Sequence, residues 1–298
     1  MAYHVPALLE ESIRGLNIRP SGIYVDVTFG GGGHSSEILK QLTTGRLIAF
    51  DQDEDAERNI FSDNRFLFLN QNFRFLKNNL KFNGISTVDG IIADLGVSFH
   101  QFDEPSRGFT FRQDAPLDMR MNKSGQRKAS DILAVLSETE LADLFYEYGE
   151  LANSRKIAKA VIVAREEKPL LTVNDFDKVI GRLAPFRQEH KFYAKVFQAL
   201  RIAVNREIEY LKELLEQTLD ILNSEGRLVV ITYHSLEDRV VKNFMKTGNF
   251  AGEQNKDFYG NPMCPFRLIN RKVIVPTEEE ISLNNRARSA RLRIAEKI

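Results

Sequence analysis

The chain has 298 residues, 43% of them hydrophobic, and its 41 basic and 41 acidic side chains give a formal net charge of zero. This composition indicates an ordinary globular protein of one or two domains, so affinity for nucleic acid has to come from local patches. The single cysteine, Cys264, excludes an intramolecular disulfide and a multi-cysteine zinc site. The five histidines have no metal-ligand spacing, so we predict no metal. With no signal-like N-terminus and no long apolar stretch, we expect a cytoplasmic protein.

Short β-branched runs alternate with amphipathic stretches over the first hundred residues. The runs at 23–27, 46–50, 66–70 and 90–94 are predicted to be strands. Amphipathic stretches between them, such as 35–42 and 75–82, indicate βαβ crossovers and therefore a parallel sheet in an α/β fold. Residues that follow each strand would then lie at the carboxyl edge, where open α/β sheets bind ligands.

A glycine run, "TFGGGGH" at 28–34, directly follows the first predicted strand. Between a strand and a helix, glycines let a nucleotide-like ligand approach backbone N–H groups and the positive helix end. The stretch from Asp26 to Gly32 can be aligned with the acidic-x-Gly-x-Gly-x-Gly pattern of S-adenosylmethionine-dependent methyltransferases, with Thr28 replacing the first glycine. A flexible turn is the alternative interpretation.

Asp51 ends the second predicted strand, 21 residues after Gly30. A carboxylate there can accept hydrogen bonds from both hydroxyls of a ribose, although Asp51, Asp53 or Asp55 could also cap the following helix. The turn and the acid together predict an adenosine-containing cofactor, either NAD or S-adenosylmethionine. After the third strand, Phe73 is placed to stack near an adenine, with a core position as the alternative.

Asp94 ends the fourth predicted strand, where amino-methyltransferases carry an Asp/Asn-Pro-Pro-Tyr loop whose Pro-Pro-Tyr is absent here. An acceptor there can hold an exocyclic amine in line with a sulfonium methyl group; alternatively, Asp94 serves the cofactor. His234 follows a further predicted strand at 227–232 and is expected beside Asp94. A hydrolase pair of Ser235 and His234 is disfavoured because there is no Gly-x-Ser-x-Gly elbow. Ser235 is instead predicted to be a helix N-cap, with Asp238 at the third helical position.

The 132 residues between Asp94 and Arg227 exceed what a βα crossover needs, which predicts an inserted module. A capping box from Ser137 to Glu140 and helical periodicity at 153–167 and 172–183 make this module all-α. We predict a sheet domain of residues 1–104 and 196–298, interrupted by a helical substrate-recognition domain of residues 105–195. A single helix over 192–222, closed by Gly226, would return the chain to the sheet. A helix at 236–245 and a terminal hairpin of strands at 271–275 and 290–294 would follow.

The stretch "RGFTFRQDAPLDMRM" mixes arginines with apolar side chains, and a helical arginine follows it later in the chain. Guanidinium groups on phosphates and aromatic rings on unstacked bases would explain the mixture, and packing of the insert would explain it equally well. Residues 105–200 carry 16 basic and 13 acidic residues, and residues 286–298 carry five and one. The predicted RNA contacts are Arg107, Phe109, Arg112, Arg120 and Arg201.

Eight stretches, in order along the chain, carry a resemblance to a known family. They are "YHVPALLEE", "GIYVDVTFGGGGHS", "GRLIAFDQD", "DGIIADLGVS", "RGFTFRQDAPLDMRM", "FQALRIAVNREI", "YHSLEDRVVK" and "NNRARSARLRIAE". Together they resemble the RsmH (MraW) family of bacterial 16S ribosomal RNA cytosine-N4 methyltransferases. The resemblance implies a Rossmann-like class I methyltransferase fold with a terminal antiparallel hairpin and an all-α insertion that faces the rRNA.

The resemblance further implies S-adenosylmethionine as the cofactor and cytidine 1402 of 16S rRNA, in the small (30S) ribosomal subunit, as the acceptor. Asp94 and His234 are the candidate catalytic residues, with direct methyl transfer and no covalent adduct on Cys264. Other nucleic acids as substrate, an NAD-dependent oxidoreductase and a non-catalytic RNA-binding module remain alternatives, and a homodimer is left open. The implied cofactor positions are Gly32, Gly33, His34, Asp51, Phe73, Asp94 and Gln101, of which His34 and Gln101 come from the resemblance alone.

Overall fold

The computed structural model describes residues 6–125 and 127–298, apart from the side chain of Phe99. Tyr3 and His4, in the first stretch of the resemblance, lie outside the described residues. The chain divides into two compact units, a sheet unit that extends to Gly96 and resumes over Ile208–Ile298, and a helical unit, Val97–Glu207. Within the described residues, no helix is both long enough and apolar enough to cross a membrane.

The sheet unit contains a seven-stranded sheet in the order β3-β2-β1-β4-β5-β7-β6 within the described residues. Strands β1 to β5 pair in parallel, whereas β7 pairs antiparallel with both β5 and β6. The predicted mainly parallel sheet with terminal antiparallel strands is thereby confirmed. The strands are β1 (Ile23–Asp26), β2 (Arg46–Phe50), β3 (Phe66–Leu69), β4 (Val88–Asp94), β5 (Leu222–Thr232), β6 (Phe266–Leu268) and β7 (Arg291–Lys297).

Of the helices described, six fall in the helical unit. In chain order they are α1 (Leu9–Leu16), α2 (Gly33–Gln41), α3 (Leu76–Phe82), α4 (Phe99–Asp103), α5 (Ala129–Val135), α6 (Glu138–Glu147), α7 (Ser154–Glu167), α8 (Val173–Ile180), α9 (Glu189–Asn205), α10 (Glu207–Ile221), α11 (Ser235–Thr247) and α12 (Glu278–Leu283). Ser137 caps α6 and Glu140 completes the capping box, as predicted. Helix α1 was not predicted.

The predicted helix over 192–222 is wrong, because Arg206 separates α9 from α10 in the left-handed conformation, at φ 52°. The apolar stripe nevertheless continues through both helices, and its two halves enter different cores. Val196 and Leu200 are buried in the core of the helical unit, whereas Leu211 and Leu215 are buried under the sheet. A continuous apolar stripe in the sequence therefore gives no indication that the helix is interrupted.

The last predicted hairpin is correct in its second strand and wrong in its first. The strand that pairs with β7 at the outer edge of the sheet is β6, and within residues 271–275 only Ile274 forms a bridge, opposite Leu292. Burial explains the difference, since Phe266 is 3% exposed whereas Val275 is 55% exposed. Gly226 does not close a helix either, because β5 begins at Leu222 directly after α10.

The helical unit starts eight residues before the predicted boundary at 105 and ends twelve after 195. Its core explains both shifts, since Val97 packs against that core and α9 contributes Ala199 and Leu200 to it. Asn205, the last residue of α9, accepts a hydrogen bond from Met121 N at 2.7 Å and donates one to Met119 O at 2.8 Å. The end of α9 therefore belongs to this unit.

Candidate active site

The glycine turn joins β1 to α2, and hydrogen bonds hold both backbone polar atoms of Gly30. Gly30 N donates to Asp51 Oδ2 at 2.7 Å, and Asn59 Nδ2 donates to Gly30 O at 2.9 Å. Gly30 and Gly32 have φ of 49° and 77°, the left-handed region that glycine adopts without strain. A slack linker would lack these restraints, so the turn is an ordered element.

The four glycines differ in what surrounds them. A Cβ on Gly32 would lie 2.8 Å from Phe61 Cζ, and one on Gly33 would lie 2.2 Å from Pro6 Cγ. Among the described residues, a Cβ on Gly31 would meet nothing within 4 Å. The turn is therefore closed by protein at Gly32 and Gly33 and open at Gly31, the side from which a ligand can approach the backbone.

Asp26, at the end of β1, is buried and holds the start of this turn. Its carboxyl accepts from Ser35 Oγ at 2.7 Å and from Thr28 N at 3.0 Å. Burial raises the pKa of Asp26 to about 6, partly offset by these hydrogen bonds. The two hydrogen bonds tie the first turn of α2 and the start of the glycine turn to the strand end.

Asp51 is free to serve a ligand, because a neighbouring carboxyl caps the helical turn that follows. Asp53 is the N-cap and accepts from Asp55 N at 3.2 Å. Within residues 6–125 and 127–298, the Asp51 carboxyl accepts only from backbone, at Gly30 N and at Asp53 N, the latter at 2.8 Å. Each oxygen can accept a second hydrogen bond. Burial raises the pKa of Asp51 to about 6.

Asp94, at the end of β4, is held by two hydroxyl groups of the sheet unit. Tyr233 Oη donates to Asp94 Oδ1 at 2.8 Å, and Asp94 N donates to Thr28 Oγ1 at 2.6 Å. Burial is the main cause that raises the pKa of Asp94 to about 7; the Tyr233 hydrogen bond opposes it, while the charges of Asp26 and Glu237 add to it. Near neutral pH, this carboxyl is poised between its two protonation states.

His34 lies in the first turn of α2, with Nδ1 3.8 Å from Asp94 Oδ2. Burial lowers the pKa of His34 to about 4, so the imidazole is neutral at neutral pH and forms no ion pair with Asp94. A hydrogen bond with the Ala7 backbone partly offsets this lowering of the pKa. The His34 side chain is therefore held between the N-terminal segment and the end of β4.

The other two predicted cofactor residues have different surroundings. Phe73 begins a short 3-10 turn after β3 and is half-buried against the core of the sheet unit, as its alternative interpretation allows. Gln101 is buried in the helical unit, where its Oε1 accepts from Ser98 N at 3.1 Å in a capping box. Of the predicted cofactor residues, Gly32, Gly33, His34, Asp51, Phe73 and Asp94 thus lie in the sheet unit. Gln101 belongs to the helical unit.

His234, rather than Ser235, is the N-cap of α11, which corrects the prediction. Its Nδ1 accepts from Glu237 N at 3.4 Å, and Ser235 is the first helical residue. Asp238 does not act at the cap, because its carboxyl is held by Arg293 at 2.7 and 3.0 Å. The side chain that reaches Asp94 is that of Tyr233, one residue before His234.

The predicted RNA contacts are mostly internal to the helical unit. Arg107 and Phe109 are buried, and Arg107 donates to the carbonyls of Arg120 and Met121 at 3.0 and 2.9 Å. Arg120 is paired with Asp118 at 2.7 Å and Arg201 with Glu207 at 2.8 Å. Packing of the insert therefore accounts for these four side chains. Arg112 alone of the five is exposed.

The model of the MraW methylase family matches residues 1–298. The chain belongs to this family. A curated protein named Ribosomal RNA small subunit methyltransferase H, from Phocaeicola vulgatus, is 58% identical over 296 residues, 99% of this chain and 97% of that protein. Its namesake from Flavobacterium psychrophilum is 55% identical over 291 residues, 97% of this chain and 100% of that protein. The predicted family and its class I methyltransferase fold are confirmed.

Solved structures are similar at a more remote level. An rRNA methylase from Streptococcus thermophilus has 13% sequence identity and a TM-score of 0.43, covering 100% of this chain and 99% of that one. A likeness this remote transfers no residue roles to the MraW family chain.

Tyr233 is the site residue that the sequence analysis missed. The available signal was its position, directly after the last parallel strand, where β5 delivers it to the same edge as Asp94. The sequence analysis assigned the adjacent residue, His234, to the site instead. The roles of the predicted site residues, and the absence of a metal, stay predictions.

We expect Gly31→Ala and Gly33→Ala to differ in stability. Because a Cβ at Gly31 meets no neighbour in the described part of the chain, this variant should unfold at the wild-type urea midpoint. The Gly33 variant has to displace Pro6 and should lose about 1 to 3 kcal/mol of unfolding free energy. Equal losses in the two urea titrations would contradict the open face of the turn.

Proposed function

We propose that the protein transfers a methyl group from S-adenosylmethionine to the N4 amine of cytidine 1402 in 16S rRNA of the small ribosomal subunit. Membership of the MraW methylase family and relatives named as small-subunit rRNA methyltransferases support the reaction class. The observation that carries the choice of an amine acceptor is Asp94, a half-buried carboxyl at the strand edge with a pKa of about 7. We place the reaction in the cytoplasm, where ribosomal subunits are assembled.

The residues of the glycine turn fit an adenosine-containing cofactor. The open face at Gly31 leaves room for a ligand against bare backbone, and the two oxygens of Asp51 retain acceptor capacity for ribose hydroxyls. The neutral imidazole of His34 lies in the same unit, beside Asp94. When bound, S-adenosylmethionine supplies an electrophilic methyl group on its sulfonium.

Asp94 supplies the acceptor that an exocyclic amine requires. The lone pair of the cytosine amine is delocalised into the ring, so the amine is a poor nucleophile that needs positioning and stabilisation of its developing positive charge. A carboxylate oxygen of Asp94 accepts an amine N–H and turns the amine towards the methyl group. Tyr233 keeps Oδ1 of this carboxyl in place.

The pKa of Asp94 also suits it to remove a proton. Methyl transfer leaves the amine with an excess proton, and a base with a pKa near 7 accepts it efficiently at neutral pH. Cys264 takes no part in this scheme: its Sγ contacts Met245 O at 3.5 Å and the residue packs against the sheet core. Transfer is therefore direct, without a covalent base adduct.

Labelled methyl transfer tests this function. We expect wild-type protein and tritiated S-adenosylmethionine to label small subunits from a strain that lacks the modification, with N4-methylcytidine identified by mass spectrometry. Asp94→Asn should lower kcat by about 100-fold, because the base and acceptor are lost. Asp143→Asn makes the same change on the exposed face of α6 and should be neutral. Label on another nucleotide would contradict the choice of acceptor.

The pH dependence of kcat reports the state of Asp94. Since the carboxylate is the active form, kcat should rise with pH to a plateau above about 7. Tyr233→Phe removes the hydrogen bond that lowers this pKa, so the rising limb should move to higher pH by roughly one unit. Tyr259→Phe, at an 85% exposed ring, should leave the profile unchanged. A limb that stays or moves to lower pH would refute the role of Tyr233.

Asp51→Ala tests the cofactor site. Loss of both carboxyl oxygens should weaken S-adenosylmethionine binding by about 1.5 to 3 kcal/mol in calorimetry. Thermal unfolding of the ligand-free variant controls for the loss of the hydrogen bond from Gly30 N. Unchanged affinity, or tight binding of NADH in a fluorescence titration, would count against the assignment.

A further inference from the structure

A cavity of about 300 Å³ lies in the sheet unit where β5 passes into α11. One side comes from this junction, and the other from the segment that leads into β7. The polar lining of the cavity consists of Tyr233, His234, Ser235, Arg288, Ser289 and Arg291.

His234 lines the cavity at the start of α11. Its Nδ1 accepts from Glu237 N at 3.4 Å. The side chain is 8% exposed, and its Nε2 lies 3.1 Å from Glu237 Oε1. Glu237 therefore faces both ring nitrogens, and the groups that can attract a ligand are the other polar residues of the cavity.

Acidic neighbours only partly neutralise the two arginines of the cavity, Arg288 and Arg291. Arg293 takes both oxygens of Asp238, which leaves Arg291 a single contact to that carboxyl at 3.4 Å and 48% of its side chain exposed. Arg288 is exposed and forms no ion pair among the described residues. The N-terminus of α11, a helix of 13 residues, adds its positive dipole end. All these groups favour a compact anion with several acceptor oxygens.

We propose that this cavity binds a phosphate group of the RNA substrate close to the methylated nucleotide. The inference rests on the proposed function for the identity of the polyanion. Arginine forks match phosphate geometry, and residues 286–298, with five basic residues and one acidic, attract a phosphate backbone. Tyr233 lines the cavity and also donates to Asp94, so the phosphate site adjoins the acceptor site.

The double variant Arg288→Gln/Arg291→Gln tests the site in the full-length protein. Its matched control is Arg271→Gln/Lys272→Gln, which removes the same charge from two exposed residues outside the cavity. Binding of a fluorescein-labelled single-stranded RNA is measured across a salt series. The cavity variant should bind about tenfold more weakly, and its salt slope should fall by roughly 0.7, the value for one lost phosphate contact to a single strand.

Methyl transfer to small subunits gives the second readout. The cavity variant should raise KM for the subunit about tenfold and leave kcat and S-adenosylhomocysteine affinity unchanged, because Asp94 and the glycine turn are intact. Equal losses in the control variant, an unchanged KM, or a loss of S-adenosylhomocysteine affinity instead would overturn the phosphate site. RNA binding with the expected salt slopes but no methyl transfer by the wild-type protein would refute the proposed function and leave the cavity assignment standing.

Discussion

The site depends on three carboxyl groups that one parallel register brings to a single edge of the sheet. Asp26 ends β1, Asp51 directly follows β2 and Asp94 ends β4, and these three strands are hydrogen-bonded neighbours. Burial raises the pKa of all three carboxyls, to about 6, 6 and 7. Such groups persist in a core only where donors compensate for lost water, and here each carboxyl has its own. Asp26 uses the first turn of α2, Asp51 the backbone of the glycine turn and Asp94 a tyrosine hydroxyl.

The parts of the fold that follow local rules could be predicted from the sequence. Strands appear as β-branched runs, and the capping box at Ser137 marks the start of α6, because both signals are local. The break at Arg206 left no signal, since a non-glycine residue takes the left-handed conformation there while the apolar stripe runs on. The position of β6 was missed because its three residues are too few for a periodic pattern, and burial of Phe266 decides the pairing.

For the site, the sequence predicted which strand ends carry functional side chains, but not which partners those side chains contact. Gly30 and Asp51 were found from spacing, yet the hydrogen bond that joins them arises from tertiary structure. His234 and Tyr233 are adjacent, and only the direction of each side chain shows that Tyr233 serves Asp94 while His234 caps α11. Arg107 resembles a surface contact in the sequence because nothing local reveals the backbone carbonyls that bury it.

The nesting of the helical unit between β4 and β5 sets an order on folding during synthesis. The helical unit is complete once residue 207 has been made and carries a hydrophobic core of its own. The sheet cannot be completed until later residues are made, because β5 is the partner of β4 and β7 covers the other edge of β5. Until β5 is made, β4 presents an apolar strand edge that can pair with other chains, and until β7 is made, β5 presents one. A chain that stops short of β7 therefore keeps its helical unit and leaves its catalytic sheet open to aggregation.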